Sequence, residues 1–420
     1  MRWPAILILL LAATMARADD ALEPWIDTAL THNPEVAAAK QRWIAAQQKV
    51  LQARAFEDPM IGVDVERMDT TRFDTFTGNE WMISQKLPWF GKRGAKGRVA
   101  QLEAEVFGFR YLELTRDVRA RVIGAYWDLW FAQESARITG ENKVLMKQFE
   151  RIARIRYETG AGMQADVLRA QITLAKMSNE VVTMEREIPV AVNAINKLLN
   201  AAPDAPRSVA GTVELPPLSL SLEEMQARAR QYCCILLSFL RAAEAKVTAV
   251  RVARLESAPD FEFRVEARQF NGRSGIQEYD TGVFMNFPWL WRGKYRAMVN
   301  EAKADAAMAQ ADLGNEVNMT MLEVKELYTK ADAAWRWMRL YEDTVLPQAR
   351  QLVESTRAGY ETGSLTFLEL VEAQAALLDA QLDNARARAE YGRTRAKLEA
   401  FIAPWGEREF ATGLVTRDMK

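Results

Sequence analysis

Tyr157-Glu158-Thr159-Gly160 recurs 203 positions later as Tyr360-Glu361-Thr362-Gly363, and that repetition decides how the chain is organised. At the same offset Asp166-Val167-Leu168-Arg169-Ala170-Gln171 meets Glu369-Leu370-Val371-Glu372-Ala373-Gln374. Upstream, Pro88-Trp89 meets Pro288-Trp289 and Ala53-Arg54 meets Ala253-Arg254, both 200 positions apart. Matches in the same order with a slowly drifting offset mean that one unit is written twice. A period this long duplicates a large hairpin-like unit and excludes a solenoid of short repeats. The Pro-rich stretch 202–217 reads as the linker between the copies, leaving a first repeat at 19–201, a second at 218–403 and a tail at 404–420.

Each copy runs through the same order of periodicities. In the first, a helix is expected over about 34–56, with Asn33 as N-cap and Pro34 at the first helical position. The period then changes to two. Ile61, Val63 and Val65 alternate with Gly62, Asp64 and Glu66, and Trp81, Ile83 and Leu87 with Met82, Ser84 and Lys86, giving strands at about 60–68 and 80–88. Long helices follow over about 92–157 and 165–199. In the second copy a helix over 223–256 precedes strands at about 260–269 and 279–287. There Phe261, Phe263, Val265 and Ala267 alternate with Glu262, Arg264, Glu266 and Arg268, while Phe284 interrupts the polar face of the last strand. Helices over 294–359 and 365–402 complete it, with Pro347 placed to kink the first of them. The glycines of the duplicated motif, Gly160 and Gly363, mark where each long helix turns back into its shorter partner. The fold class is therefore mainly α with a small β part, a duplicated helix–β-hairpin–long helix–helix unit.

Composition narrows the function. Hydrophobic residues at 49% and charged residues at 26% exclude disorder, and 55 Lys+Arg against 56 Asp+Glu exclude the basic footprint of a nucleic-acid binder. One His and two Cys leave no His/Cys metal site, and no nucleophile–base pair is spaced for catalysis, so neither an enzyme nor a cofactor is expected. His32 reads as a helix-start residue, and adjacent Cys233 and Cys234 as buried thiols. Residues 1–18 carry Arg2, an apolar run from Ala5 to Ala13 and Ala16-Arg17-Ala18, the layout of a cleaved secretory signal. No later apolar stretch reaches transmembrane-helix length, so the exported chain is either soluble or a β-barrel in a membrane.

The hairpins favour the barrel. Strands of this length, apolar on one face and charged on the other, suit a wall between lipid and water. Four strands cannot close a membrane barrel, because the smallest has about eight. Two chains would give a barrel filled by its own side chains, whereas three would give a twelve-stranded conduit. Trp89, Phe90, Trp289 and Trp291 follow the second strand of each hairpin, where an interfacial belt belongs, and Lys92, Arg93, Arg292 and Lys294 follow them at headgroup level. Helices of some 65 residues, on the order of 100 Å long, must lie side by side as in a coiled coil. The competing reading is a soluble periplasmic coiled-coil adaptor or scaffold without a barrel.

With the signal, the duplicated unit and the paired Tyr-x-x-Gly turns in view, the sequence resembles the TolC-like outer-membrane efflux proteins over essentially its whole mature length. Gln85-Lys86-Leu87-Pro88-Trp89-Phe90-Gly91-Lys92-Arg93 further resembles the heavy-metal efflux branch. The resemblance implies a homotrimer, with a twelve-stranded barrel in the outer membrane joined to a long periplasmic α-helical barrel. It also implies a periplasmic adaptor, an inner-membrane pump of the RND type and a passive duct without a cofactor, exporting heavy-metal cations or drugs. Glu369 and Glu372 match the family's acidic constriction, a ring whose crowding would raise some carboxylate pKa values. Asp166 and Tyr360 match the positions that latch the closed periplasmic tip. The Arg some relatives supply to that latch is replaced here by Leu365.

Overall fold

The computed structural model describes residues 19–67, 76–209, 215–270 and 272–404. The expected signal segment, part of the linker and nearly all of the C-terminal tail lie outside them.

The chain opens with α1 (Asp19–His32) and α2 (Pro34–Arg54). Asn33 separates them: its side-chain oxygen accepts the Glu35 N–H at 2.8 Å, and its amide donates to the Leu198 carbonyl at 3.1 Å. His32 ends α1 and does not start a helix. It follows a helix that the sequence reading did not anticipate, because Pro24 interrupts its pattern. Strands β1 (Met60–Arg67) and β2 (Phe76–Leu87) come next, then α3 (Lys92–Glu158) and α4 (Gln164–Leu198).

The second copy begins with α5 (Leu222–Tyr232) and α6 (Cys234–Leu255), where one continuous helix was expected. Cys233, extended at φ −69 and ψ 115, makes the break. It stands 200 positions after Asn33, so the same corner is built twice, once with a capping side chain and once without. Both cysteines are buried, and Cys234 packs with Phe109 and Leu112. Strands β3 (Phe261–Phe270) and β4 (Glu278–Met285) lead through a short 3-10 turn, Pro288–Trp291, into α7 (Arg292–Leu340). A π-helical turn, Tyr341–Val345, joins α7 to α8 (Leu346–Thr362), and α9 (Phe367–Ile402) follows. Pro347 sits in the first turn of α8, where its missing N–H costs least. The ladder adjusts in the π turn just before it rather than at the proline itself.

The chain divides into two compact units. One takes Met1–Ala37, Leu114–Gln231 and Leu322–Ala403. Its interior is helix on helix: Trp335 lies against Tyr391 with centroids 5.1 Å apart, and the Tyr391 hydroxyl donates to the linker carbonyl of Pro216 at 2.6 Å. The Asn142 amide reaches Gln381 Oε1 at 2.7 Å while its own oxygen accepts from Gln374, a polar cross-tie between the two copies.

The other unit takes Ala38–Glu113, Tyr232–Met321 and Pro404–Lys420, and holds the sheet. The four strands run β1-β2-β3-β4, antiparallel throughout. The two hairpins are therefore not separate: β2 of the first copy pairs with β3 of the second, Ile83 opposite Val265 and Leu87 opposite Phe261. Among the described residues β1 and β4 are each paired along one side only.

Candidate functional site

The period of two places each side chain of the sheet on one of two unlike faces. Ile61, Val63, Trp81, Ile83, Phe263, Val265 and Val283 occupy one face and are all exposed, Ile61 to 78%. A contiguous apolar surface of this kind needs a non-aqueous neighbour. The opposite face is a charge lattice. Arg264 pairs with Glu262 at 3.2 Å, and Arg268 bridges Glu80 on β2 at 3.2 Å and Asp280 on β4 at 3.3 Å. Phe284, which interrupts this face, lies under the Arg264 guanidinium at 4.4 Å. Gly282 leaves room for its ring, since a Cβ there would come within 2.8 Å of Phe284 Cε2.

Aromatic residues gather below the strand ends. Trp89 stacks on Phe261 with centroids 5.8 Å apart and meets Phe90 edge-on, while Phe90, Trp289 and Trp291 are exposed. The cations expected beside them divide differently from the sequence reading. Lys92 is not at a headgroup surface: it is 2% exposed, and its ammonium donates to both oxygens of Asp260 at 2.8 and 2.9 Å and to the Ala258 carbonyl at 2.9 Å. Asp260 also accepts the Trp89 N–H at 2.8 Å, and its own N–H donates to Asn286 at 2.6 Å. The ends of β2, β3 and β4 are thus knotted around one charge pair whose ammonium is buried. Arg93 folds onto the Phe56 ring at 3.4 Å and donates to the Arg54 carbonyl.

In the other unit the duplicated motif closes two helices by the same device. Gly160 and Gly363 take φ of 74° and 82°, the left-handed cap that glycine adopts without penalty. The Ala161 N–H reaches back to the Arg156 carbonyl at 2.8 Å, and the Ser364 N–H to that of Gly359 at 2.9 Å. The two tyrosines then part company. Tyr157 is 46% exposed, whereas Tyr360 is 3% exposed. The Tyr360 hydroxyl donates to Asp166 Oδ2 at 3.4 Å, and its ring meets Phe367 edge-on at 5.3 Å. Burial, reinforced by the facing Asp166 carboxylate, pushes its phenol up to about 12.

Arg156 is the residue that sequence reasoning missed. Its guanidinium lies 4.9 Å from the Tyr360 ring centroid. It donates to the carbonyls of Tyr360 and, at 2.7 Å, Glu361 in one turn, and at 3.0 Å to Ala161 in the other. One side chain therefore staples the turn of the first copy to that of the second. The signal was present as a difference between the copies, because the counterpart of Arg156 is Gly359. There a Cβ would stand 2.6 Å from Leu365 Cδ1, so the leucine occupies the space beside the glycine.

Glu369 and Glu372 are both exposed near the start of α9 but are not equivalent. Glu369 completes a capping box: its carboxylate accepts from the Thr366 N–H at 2.7 Å and hydroxyl at 2.9 Å, while its own N–H points at Thr366 Oγ1. Those bonds hold its carboxyl below the usual carboxylate range. Among the described residues no group of three or more His, Cys, Asp or Glu could hold a metal ion, and no helix is long and apolar enough to cross a membrane.

The profile of the family described as "Outer membrane efflux protein" matches residues 25–201 and 239–403, the two copies in turn. The chain belongs to that family. Its relatives include the alkaline protease secretion protein AprF of Pseudomonas aeruginosa, 23% identical over 89% of this chain and 82% of the relative. They also include the cobalt-zinc-cadmium resistance protein CzcC of Cupriavidus metallidurans, 22% identical over 86% of this chain and 84% of the relative. The sequence-level likeness to TolC extends to the TolC of Vibrio cholerae, 21% identical over 78% of this chain and 76% of that protein. Among solved structures, the CusC channel superposes with a TM-score of 0.79 at 14% identity, covering 91% of this chain and 92% of that one. The outer-membrane channel OprN gives 0.78 at 20% identity, over 92% and 90%. Both channels share this chain's overall fold.

Proposed function

We propose that the chain is the outer-membrane channel subunit of a tripartite efflux system: three copies close a twelve-stranded barrel and continue as an α-helical duct in the periplasm. The observation that carries this reading is the sheet. It has an exposed apolar face, a charged face knitted by Arg264 and Arg268, and two outer strands that, among the described residues, each lack a partner on one side. Ring closure satisfies both edges, since barrels abolish edges altogether, and it puts the charged face toward water. A soluble scaffold would leave the same apolar face wet.

The duct is passive and takes its cargo from an inner-membrane pump through an adaptor. Relatives named for protease secretion and for cobalt, zinc and cadmium resistance support a conduit whose cargo is chosen elsewhere. The Tyr-x-x-Gly turns form the periplasmic tip. There Asp166 and Tyr360 hold the resting closure, and Arg156 braces them from within the chain. Glu372 points the constriction charge into the ring, with Glu369 held back by Thr366.

Membrane fractionation with cross-linking tests the reading. The mature protein should stay in the outer-membrane fraction after osmotic shock and cross-link as a trimer, with residues on β1 of one chain trapping residues on β4 of the next. Release by osmotic shock alone, or monomers only, would overturn it.

A further inference from the structure

The Ala-Arg and Pro-Trp boundaries that recur 200 positions apart fold into a pocket in each copy, and the two pockets have opposite chemistry. The first, about 900 Å³, is lined by aromatic and aliphatic side chains, and its arginines are already engaged. Arg54 donates to Gln101 at 3.3 Å, and Arg93 is bound to the Arg54 carbonyl and seated on Phe56. The second, about 350 Å³, is framed by Arg254, Arg292, Arg296 and Lys303 with Trp289 and Tyr295. No carboxylate lines it, and among the described residues none of the four cations makes an ion pair.

We propose that this second pocket is the seat of an anionic glycerophospholipid headgroup. The proposal rests on the outer-membrane reading above and deepens it. Four uncompensated positive charges drawn to one small cavity repel one another, and an anion reverses the sign of that interaction. Guanidinium forks match the paired oxygens of a phosphate, and three of the four cations are arginines. The place also suits a lipid more than a free ion. The pocket opens immediately past the end of β4, at the level of exposed Trp289 and Trp291, where headgroups meet a membrane-embedded wall. The exposed Leu290 beside them offers apolar surface to an acyl chain. Basic side chains at such a surface draw anionic lipid selectively over zwitterionic lipid.

The test reconstitutes the full chain into vesicles of phosphatidylcholine containing a minor fraction of phosphatidylglycerol, and measures retained lipid by native mass spectrometry. Wild type should retain phosphatidylglycerol over phosphatidylcholine. The triple variant Arg254→Gln/Arg292→Gln/Arg296→Gln should bind it about a hundredfold more weakly, the product of roughly fivefold for each cation lost. A control, Lys143→Gln/Lys147→Gln/Arg151→Gln on α3, removes equal charge elsewhere and should retain it as wild type does. Circular dichroism confirms that each variant is folded, and the single variant Arg296→Gln, with a fivefold loss expected, serves if the triple does not fold. Insertion with no lipid preference, or equal losses in the triple and the control, would overturn the seat while leaving the channel standing. Failure of wild type to insert would overturn both. Saturation by inorganic phosphate in detergent without any retained lipid would overturn the lipid assignment.

Discussion

The pair Lys92–Asp260 permits a sharp prediction because its two members are buried to different degrees. The Lys92 side chain is 2% exposed and that of Asp260 36%. In Lys92→Met the orphaned carboxylate keeps the Trp89 N–H and reaches water, so the loss should be about 1 kcal/mol. In Asp260→Asn the amide keeps the shape and the Trp89 bond but leaves an ammonium sealed from solvent. Its remaining partners are the variant's neutral amide oxygen, the Ala258 carbonyl and Glu256 at 3.6 Å. Breaking a buried pair from this side costs about 3 kcal/mol, the lower end for such a loss because Glu256 persists. The double variant, freed of the stranded charge, should return to within about 1 kcal/mol of Lys92→Met, a coupling of roughly 2–3 kcal/mol. Denaturant unfolding of the detergent-solubilised protein, followed by circular dichroism, reads all four stabilities. Equal losses in the two single variants, or additive losses in the double, would refute the claim that burial of the ammonium controls this knot.

Other outcomes follow from the same geometry. Arg156→Ala removes the staple between the turns and should cost on the order of 2 kcal/mol locally; amide hydrogen exchange at Ser364 and Leu365 should accelerate about thirtyfold with helix content unchanged. Tyr360 should be among the last tyrosines to ionise, near pH 12 by ultraviolet difference spectroscopy. Because its pKa is raised, its contribution is complete below about pH 10 and is lost as pH climbs through about 12. Tyr360→Phe should raise resting conductance in planar bilayers, and an unaltered closed state would remove it from the latch. Glu372→Ala should weaken divalent-cation block more than Glu369→Ala does, since Thr366 already holds the Glu369 carboxylate; equal effects would contradict that division. Gly392→Ala should destabilise the helical unit, because a Cβ there runs into the Trp127 ring, and a lower melting temperature reads it.

Local alternation and spacing carried much of this architecture. The strands around Val63, Ile83 and Val265 could be placed from their period alone, and Asn33-Pro34 announced its helix start through capping chemistry. What stayed hidden depended on partners distant in sequence. Nothing within Gly91-Lys92-Arg93 says that Asp260 waits 168 positions away, so the lysine read as an interfacial cation and is a buried one. The break at Cys233 has no proline, glycine or capping side chain to mark it and shows only through its correspondence with Asn33. Strand pairing between the copies is a long-range choice, so the β2–β3 seam appears only in three dimensions. Arg156 is different in kind, since aligning the copies against each other exposes Arg156 against Gly359. Divergence between duplicated halves was the signal left unused.

The seam between β2 and β3 is made inside one polypeptide, whereas in the proposed ring the joint between β4 of one copy and β1 of the next must be made between polypeptides. Every subunit then carries one half of each neighbouring joint, and no copy can mend a fault in the next. A chain whose β1 margin is blocked by proline would act as a poison: co-produced with normal copies, it would spoil each assembly it entered. Loss of export should therefore outrun the fraction of faulty chains.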